Sequence, residues 1–172
     1  MTARITENEW IPLEGALPET VNGDTVYVIP TRLPVRDDDE DDKLPRYTDQ
    51  MRYFPKEARN AKSALPVEFS MPSGSRKFIS EYSIDPDMWA LGLAVLAMSN
   101  DWLIFVTQSF IDMRARAQGW SPEEAQELPL KVSIVETKTS RTVEIEGKGS
   151  EVIEALRELK RKNSGGKSIG KK

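Results

Sequence analysis

Apolar residues are concentrated in one stretch of the chain, MWALGLAVLAMSNDWLIFVTQSF at residues 88–110. A transmembrane helix requires about twenty consecutive apolar residues, whereas the uninterrupted run here is the eleven residues from Met88 to Met98. The acid Asp101 would lie inside such a span, at a cost of roughly 2.5–3.5 kcal/mol. We therefore predict that the stretch forms the core of a water-soluble fold and does not span a membrane.

Two helix-start signals fit this stretch. Asp85, which is followed by a proline, is a typical N-cap, and it predicts a helix from there towards the stop signal Gly119. Alternatively, Ser99 or Asn100 caps a new helix that begins near Trp102 and divides the stretch in two. The second half has the one-sided apolar stripe that a helix packed on a sheet requires. The members of this stripe are Trp102, Phe105, Val106, Phe110 and Met113.

Alternating apolar residues predict two β-hairpins, one on each side of this stretch. The first joins PVEFSM to RKFISEYSI through the turn PSGS, and the second joins LKVSIVE to RTVEIEG through TKTS. Between them, SPEE at 121–124 predicts a capping box and a short helix. After the second hairpin, Ser150 predicts the N-cap of a final amphipathic helix. The apolar residues of that helix are Val152, Ile153, Leu156 and Leu159.

The first 64 residues carry weaker signals. DTVYVIP at 24–30 predicts a strand, and a short helix is expected after Pro55. The six consecutive acids at 37–42 repel one another and predict an exposed loop. The alternate acids of this run resemble a calcium-binding loop, but Asp42 and Thr48 stand where that loop requires glycine and glutamate. We therefore expect no structured metal site there.

These elements predict an α+β fold in which helices cover an antiparallel sheet of two hairpins. With 38% hydrophobic and 30% charged residues, the chain can build one modest core. We predict a proline-rich, acidic N-terminal extension with one short strand at 1–64, an α+β domain at 65–162, and a basic, disordered tail at 163–172.

The composition restricts the chemistry of the protein. The 172-residue chain contains no cysteine and no histidine, which excludes disulfides, thiolate metal sites and catalysis by imidazole. The remaining catalytic candidates are acids near the predicted core, but their spacing does not define a pair. These acids are Glu68, Glu81, Asp85 and Asp101. We expect a protein that is not an enzyme and that binds no cofactor.

Charge is unevenly distributed along the chain. The last thirteen residues carry six cations and no acid, whereas residues 1–159 carry a balance of −10. The tail is a candidate contact for nucleic acid or another anion, and the alternative is a solvated end without a specific role. The tail cations are Lys160, Arg161, Lys162, Lys167, Lys171 and Lys172. The N-terminus lacks the features of a secretory signal, so we expect a cytoplasmic protein.

The aromatic residues of the apolar stretch are the candidate partner-binding face. An exposed aromatic group is typical of a protein interface, whereas a buried one belongs to the core, and one helix can supply both. The candidate residues are Trp89, Trp102, Phe105 and Phe110.

From Asp85 onwards the sequence resembles the effector-associated constant component family of bacterial conflict systems. The likeness lies in an apolar segment that ends in Arg114 and Arg116, the strand TVEIEG, and the final helix VIEALREL. It implies a non-enzymatic adaptor that works beside an effector, and it implies no catalytic residues.

We therefore predict a non-catalytic protein–protein interaction module that acts as an adaptor or by self-association. The alternative is a structural or assembly component of a particle such as a phage virion, which extended, proline-rich arms would suit. A small enzyme that uses carboxylates is the third hypothesis.

Overall fold

The computed structural model describes residues 2–32, 44–60, 64–79 and 89–168, without the side chains of residue 89 and of residues beyond 162. The strands are β1 (Arg4–Glu7), β2 (Val26–Val28), β3 (Tyr47–Thr48), β4 (Val67–Phe69), β5 (Phe78–Ile79), β6 (Trp89–Val95), β7 (Pro129–Glu136) and β8 (Arg141–Lys148). The α-helices are α1 (Phe54–Asn60), α2 (Leu103–Gln118), α3 (Pro122–Gln126) and α4 (Gly149–Ser168).

Six of the strands form one mixed sheet in the order β1-β8-β7-β6-β2-β4. The α+β class is confirmed, but the prediction of an antiparallel sheet built from two hairpins is wrong. The second hairpin is present as the antiparallel pair β7–β8. The first is absent, because β4 pairs in parallel with β2, and β5 pairs in parallel with β3 in a separate two-stranded sheet.

The first half of the apolar stretch is a strand, not the helix that Asp85 predicted. β6 lies inside the sheet, parallel to β7 and antiparallel to β2. Leu91 and Leu93 are buried in the main core, whereas Ala94 is buried in a second cluster that contains Ile29. A strand buried on both faces has no polar alternation, so its sequence does not distinguish it from a buried helix. Asp85 itself lies outside the described residues.

Gly92 explains why the centre of β6 has no side chain. A Cβ atom at this position would lie 2.6 Å from Thr31 Cγ2 and 2.9 Å from Ile29 Cγ1. The segment that follows β2 therefore passes directly over the β6 backbone, which only glycine permits without a shift of these neighbours.

The second half of the stretch is α2, so the alternative that divides the stretch near Asn100 is the one observed. Asn100 Oδ1 accepts a hydrogen bond from the Trp102 N–H at 2.7 Å, just before the helix begins. Its Nδ2 donates to the carbonyls of Gly23 and Thr25, each at 3.3 Å, which ties this turn to the segment before β2. The helix stops at Gly119, whose φ of 71° is left-handed, as predicted.

Residues on both sides of position 64 build the same sheet. β1 pairs with β8, and β2 pairs with β6, so the sheet crosses the boundary that we predicted there. Trp10, Leu13 and Val21 also pack against the second cluster. Residues 2–32 therefore contribute two strands to the sheet and side chains that pack on the second cluster.

The other three helices are present, but two of them begin before their predicted signals: α1 begins at Phe54, before Pro55, and α4 begins at Gly149, before the predicted N-cap Ser150. Ser121 and Glu124 form the predicted capping box at the start of α3. α4 contains the predicted final helix and continues to Ser168, beyond the predicted domain end at residue 162. The acidic run at 37–42 lies outside the described residues. Within the described part of the chain, no helix combines the length and the apolar character that crossing a membrane requires.

Candidate functional site

Two aromatic side chains mark the N-terminal end of α2. Phe105 is 57% exposed, and Trp102, which is half-buried, lies beside it with ring centroids 6.1 Å apart. The inner side of the same helix presents Val106 and Phe110, both fully buried, to the core. Because a helix turns 100° per residue, Phe105 and Phe110 point in directions about 140° apart. The helix therefore buries one phenylalanine and presents the other to solvent.

A cation from the last helix reaches the same surface. Lys160 Nζ on α4 lies 2.9 Å from Asp101 Oδ1, in the turn just before α2. We call this surface, formed by Asp101, Trp102, Phe105 and Lys160, the aromatic–cationic face. The exposed ion pair contributes little to stability, but it shows that the predicted aromatic face and the start of the predicted cationic tail meet.

The predicted site residues thus separate into three groups. Trp102, Phe105 and Lys160 share the aromatic–cationic face, whereas the exposed Arg161 and Lys162 point to the other side of α4. Phe110 is part of the core, where its ring packs edge-to-face against Phe54 with centroids 5.7 Å apart. A group of predicted residues lacks a described side chain. These are Trp89 in β6, Lys167 in α4, and Lys171 and Lys172 beyond the described residues.

The two catalytic candidates whose positions are described, Glu68 and Asp101, lie on different elements of the fold. Glu68 is exposed on β4, the last strand of the sheet, and Asp101 is exposed and paired with Lys160. Glu81 and Asp85 lie outside the described residues. Within the described ranges, no three acids are grouped so that they could hold a metal ion.

Arg114 is a buried cation that was not among the predicted site residues. It lies on the inner side of α2, four residues after Phe110, and is 1% exposed. Its Nη1 lies 3.5 Å from the carbonyl oxygen of Pro129 at the start of β7. Burial lowers the pKa of Arg114 to about 10, so the guanidinium remains charged at neutral pH. Its spacing from Val106 and Phe110 was the available signal, since all three follow one helical stripe.

A second aromatic group supports the small sheet of β3 and β5. Tyr47 is 5.0 Å from Phe69 and 5.6 Å from Phe78 between ring centroids. The guanidinium groups of Arg52 and Arg76 each stack 4.4 Å from a ring centroid, over Phe78 and Phe69 respectively. These cation–π contacts stabilise the group. The members of this aromatic group are distant along the chain, so no local sequence pattern indicates it.

A groove between α1 and α2 has a volume of about 520 Å³. Polar and charged residues line it, among them Arg116, whose Nη2 is 3.3 Å from Glu57 Oε2. Ligand pockets are typically enclosed and mostly apolar. This groove is a shallow surface depression, which favours the aromatic–cationic face as the candidate site.

Comparison with protein-family models, with curated proteins and with solved structures returned no match for this chain. The resemblance to the effector-associated constant component family therefore stays a prediction.

Proposed function

We propose that this protein is a non-catalytic protein-binding module that uses the aromatic–cationic face. The observation that supports this proposal best is the exposure of Phe105 beside Trp102, on a helix whose other aromatic side chain is buried. Single exposed apolar residues are common on monomers. Two adjacent aromatic rings are instead typical of interfaces, where tryptophan and phenylalanine are enriched.

Burying this face against a partner contributes a substantial free energy of association for a small contact area. Burying a large apolar side chain stabilises an association by roughly 1.5–3 kcal/mol. The ring of Trp102 already packs partly against the main core. A side chain that is ordered before binding loses less conformational entropy on binding, which favours affinity.

The cation at this face indicates the charge of the partner. Lys160 is the α4 cation at this face, through its contact with Asp101, and it would attract an acidic partner towards the aromatic pair. A second copy of this chain would meet that requirement, because residues 1–159 carry a balance of −10. The proposal therefore covers both an adaptor and a self-associating protein.

The test is site-specific photo-crosslinking with the full-length protein in a lysate of its own cells. A benzophenone amino acid replaces Phe105 in one variant and the exposed Tyr53 on the α1 side in the matched control. We expect a discrete protein adduct from position 105 that is lost at high salt and in a Lys160→Glu background. Equal adducts from both positions, or none from position 105, would overturn the proposal.

A further inference from the structure

Among the described strands, β1 is the last strand at one end of the sheet. Asn8 N–H donates to the Thr142 carbonyl of β8 at 2.8 Å. In an antiparallel pair, every second residue directs its N–H and C=O groups towards the partner strand. Arg4 and Thr6 therefore also direct their backbone groups to β8. The N–H and C=O groups of Ile5 and Glu7 point away from the sheet, and no described strand pairs with them.

The β1 edge has only part of the protection that edge strands usually have. Natural edges are kept short, carry charged side chains or are interrupted by a bulge or a proline. β1 is short and carries Arg4 and Glu7, but its register with β8 is continuous and it contains no proline. At the opposite end of the sheet, β4 has only three residues and follows Pro66 directly. The two ends therefore differ in their readiness to accept another strand.

An acidic cleft lies alongside this edge, between β1 and α4. Ala3 and Ile5 form its apolar floor, and its wall is one stripe of α4 with spacing i, i+3 and i+7. The acids of that stripe are Glu151, Glu154 and Glu158. The cleft encloses about 110 Å³, which suits single side chains and is smaller than the roughly 300 Å³ of a small-molecule pocket.

We propose that the β1 edge binds an extended segment of another protein as an added strand, with lysine or arginine at the alternate positions that face α4. Strand addition pairs the outward backbone groups of Ile5 and Glu7, which supplies affinity. Alternate side chains of the added strand enter the cleft, where the glutamates attract cations. Glu151 already accepts the Lys148 backbone N–H at 3.0 Å, and Glu154 Oε2 lies 3.4 Å from Arg157 Nη1, so an incoming cation shares these two acids with existing contacts. This site is independent of the aromatic–cationic face, because Lys160 lies on the opposite side of α4 from the glutamate stripe.

A second copy of this chain does not fit the site through its own β1. Two β1 strands that pair antiparallel are related by a two-fold axis perpendicular to the sheet. That symmetry would place both α4 helices on the same side of the joined sheet, with their glutamate stripes facing one another. Like charges in that arrangement repel, so the partner is a different, basic segment.

The test measures binding of the full-length protein, tagged at its C-terminus, to the synthetic peptide TKVKVKT with blocked ends. Two control peptides separate the causes: TEVEVET reverses the charge, and KKKTVTV keeps the composition but breaks the alternation. We expect fluorescence anisotropy to show binding of TKVKVKT and at least roughly tenfold weaker binding of both controls. Absence of binding, or equal binding of KKKTVTV, would overturn the proposal.

Variants locate the contact on the protein. Ile5→Pro removes one outward N–H and keeps the inward bonds of β1, and Ile5→Val is its matched control. We expect Ile5→Pro and the double variant Glu154→Gln with Glu158→Gln each to weaken binding roughly tenfold, and Ile5→Val to bind like the wild type. Unchanged binding by the two weakening variants contradicts the proposal.

Hydrogen exchange on the wild type keeps the test decisive if Ile5→Pro fails to fold. Saturating TKVKVKT should protect the amides of Ile5 and Glu7. Binding without this protection would show a charge-only contact, and protection without peptide would show self-pairing. Either result overturns the proposal.

Discussion

Each of the two phenylalanines of α2 pairs with an aromatic residue outside the helix, and the two pairs have opposite environments. Phe110 packs against Phe54 with neither side chain exposed, whereas Phe105 lies against Trp102 and is 57% exposed. Residue type and helix are the same for the two phenylalanines, so position around the helix decides the role. The inner pair lies in the core, whereas the outer pair combines a half-buried Trp102, which packs against the core, with the exposed ring of Phe105.

Removing the inner ring should have the largest effect. Phe110→Ala leaves a cavity between α2 and α1, and we expect the free energy of unfolding to fall by about 3–5 kcal/mol. Denaturant unfolding measures this loss, with Phe110→Leu as a control that keeps most of the volume. A loss below about 1 kcal/mol would show that the inner pair is not core.

The turn that holds Trp102 comes next. Asn100→Ala removes the acceptor for the Trp102 N–H and the donors to Gly23 and Thr25. We expect a loss of about 1–2 kcal/mol in the free energy of unfolding, together with a change in tryptophan fluorescence. Asn100→Ser removes the donors as well but keeps an acceptor at this cap position, and should lose less. Equal losses in the two variants would mean that the hydrogen bond to Trp102 does not position the outer pair.

The buried tyrosine extends the comparison to an aromatic residue with a polar group. Burial raises the pKa of Tyr47, whose hydroxyl lies 3.0 Å from Ser70 Oγ and accepts the Met71 N–H. Above pH 10 the unfolded state loses this proton first, so the contribution of Tyr47 to stability falls as pH rises, by up to about 1.4 kcal/mol per pH unit. Denaturant unfolding across pH 9–11 should show the advantage of wild type over Tyr47→Phe shrinking. A constant difference between them would contradict this account.

The outer ring should have the smallest effect on stability. Phe105→Ser removes an exposed side chain, and we expect the free energy of unfolding to change by no more than about 0.5 kcal/mol. Thermal and denaturant unfolding check this value. A loss comparable to that of Phe110→Ala would mean that Phe105 is a structural residue, and the contrast between the pairs would disappear.

Local signals account for the elements that the sequence predicted. β7 and β8 largely alternate apolar and polar residues. Ser121 and Glu124 are three residues apart in the capping box, and Gly119 directly follows the last residue of α2. Each of these depends on residues close together in sequence. They were therefore readable without the fold.

Contacts between distant segments account for what the sequence did not reveal. β6 is a strand because β2 and β7 flank it, and its apolar run has no alternation that would reveal this. The ion pair between Asp101 and Lys160 exists only because α4 returns to α2. The sequence thus predicted two candidate surfaces, an aromatic one and a cationic one, but not that they adjoin.

The most direct test of the proposed function is the crosslinking yield from position 105 relative to position 53, in the full-length protein and its own cell lysate. The account predicts a salt-sensitive adduct with one protein, or with a second copy of this chain, from position 105 alone. The same adducts from both positions, or a clean monomer at position 105, would contradict the claim that the outer aromatic pair is a binding surface.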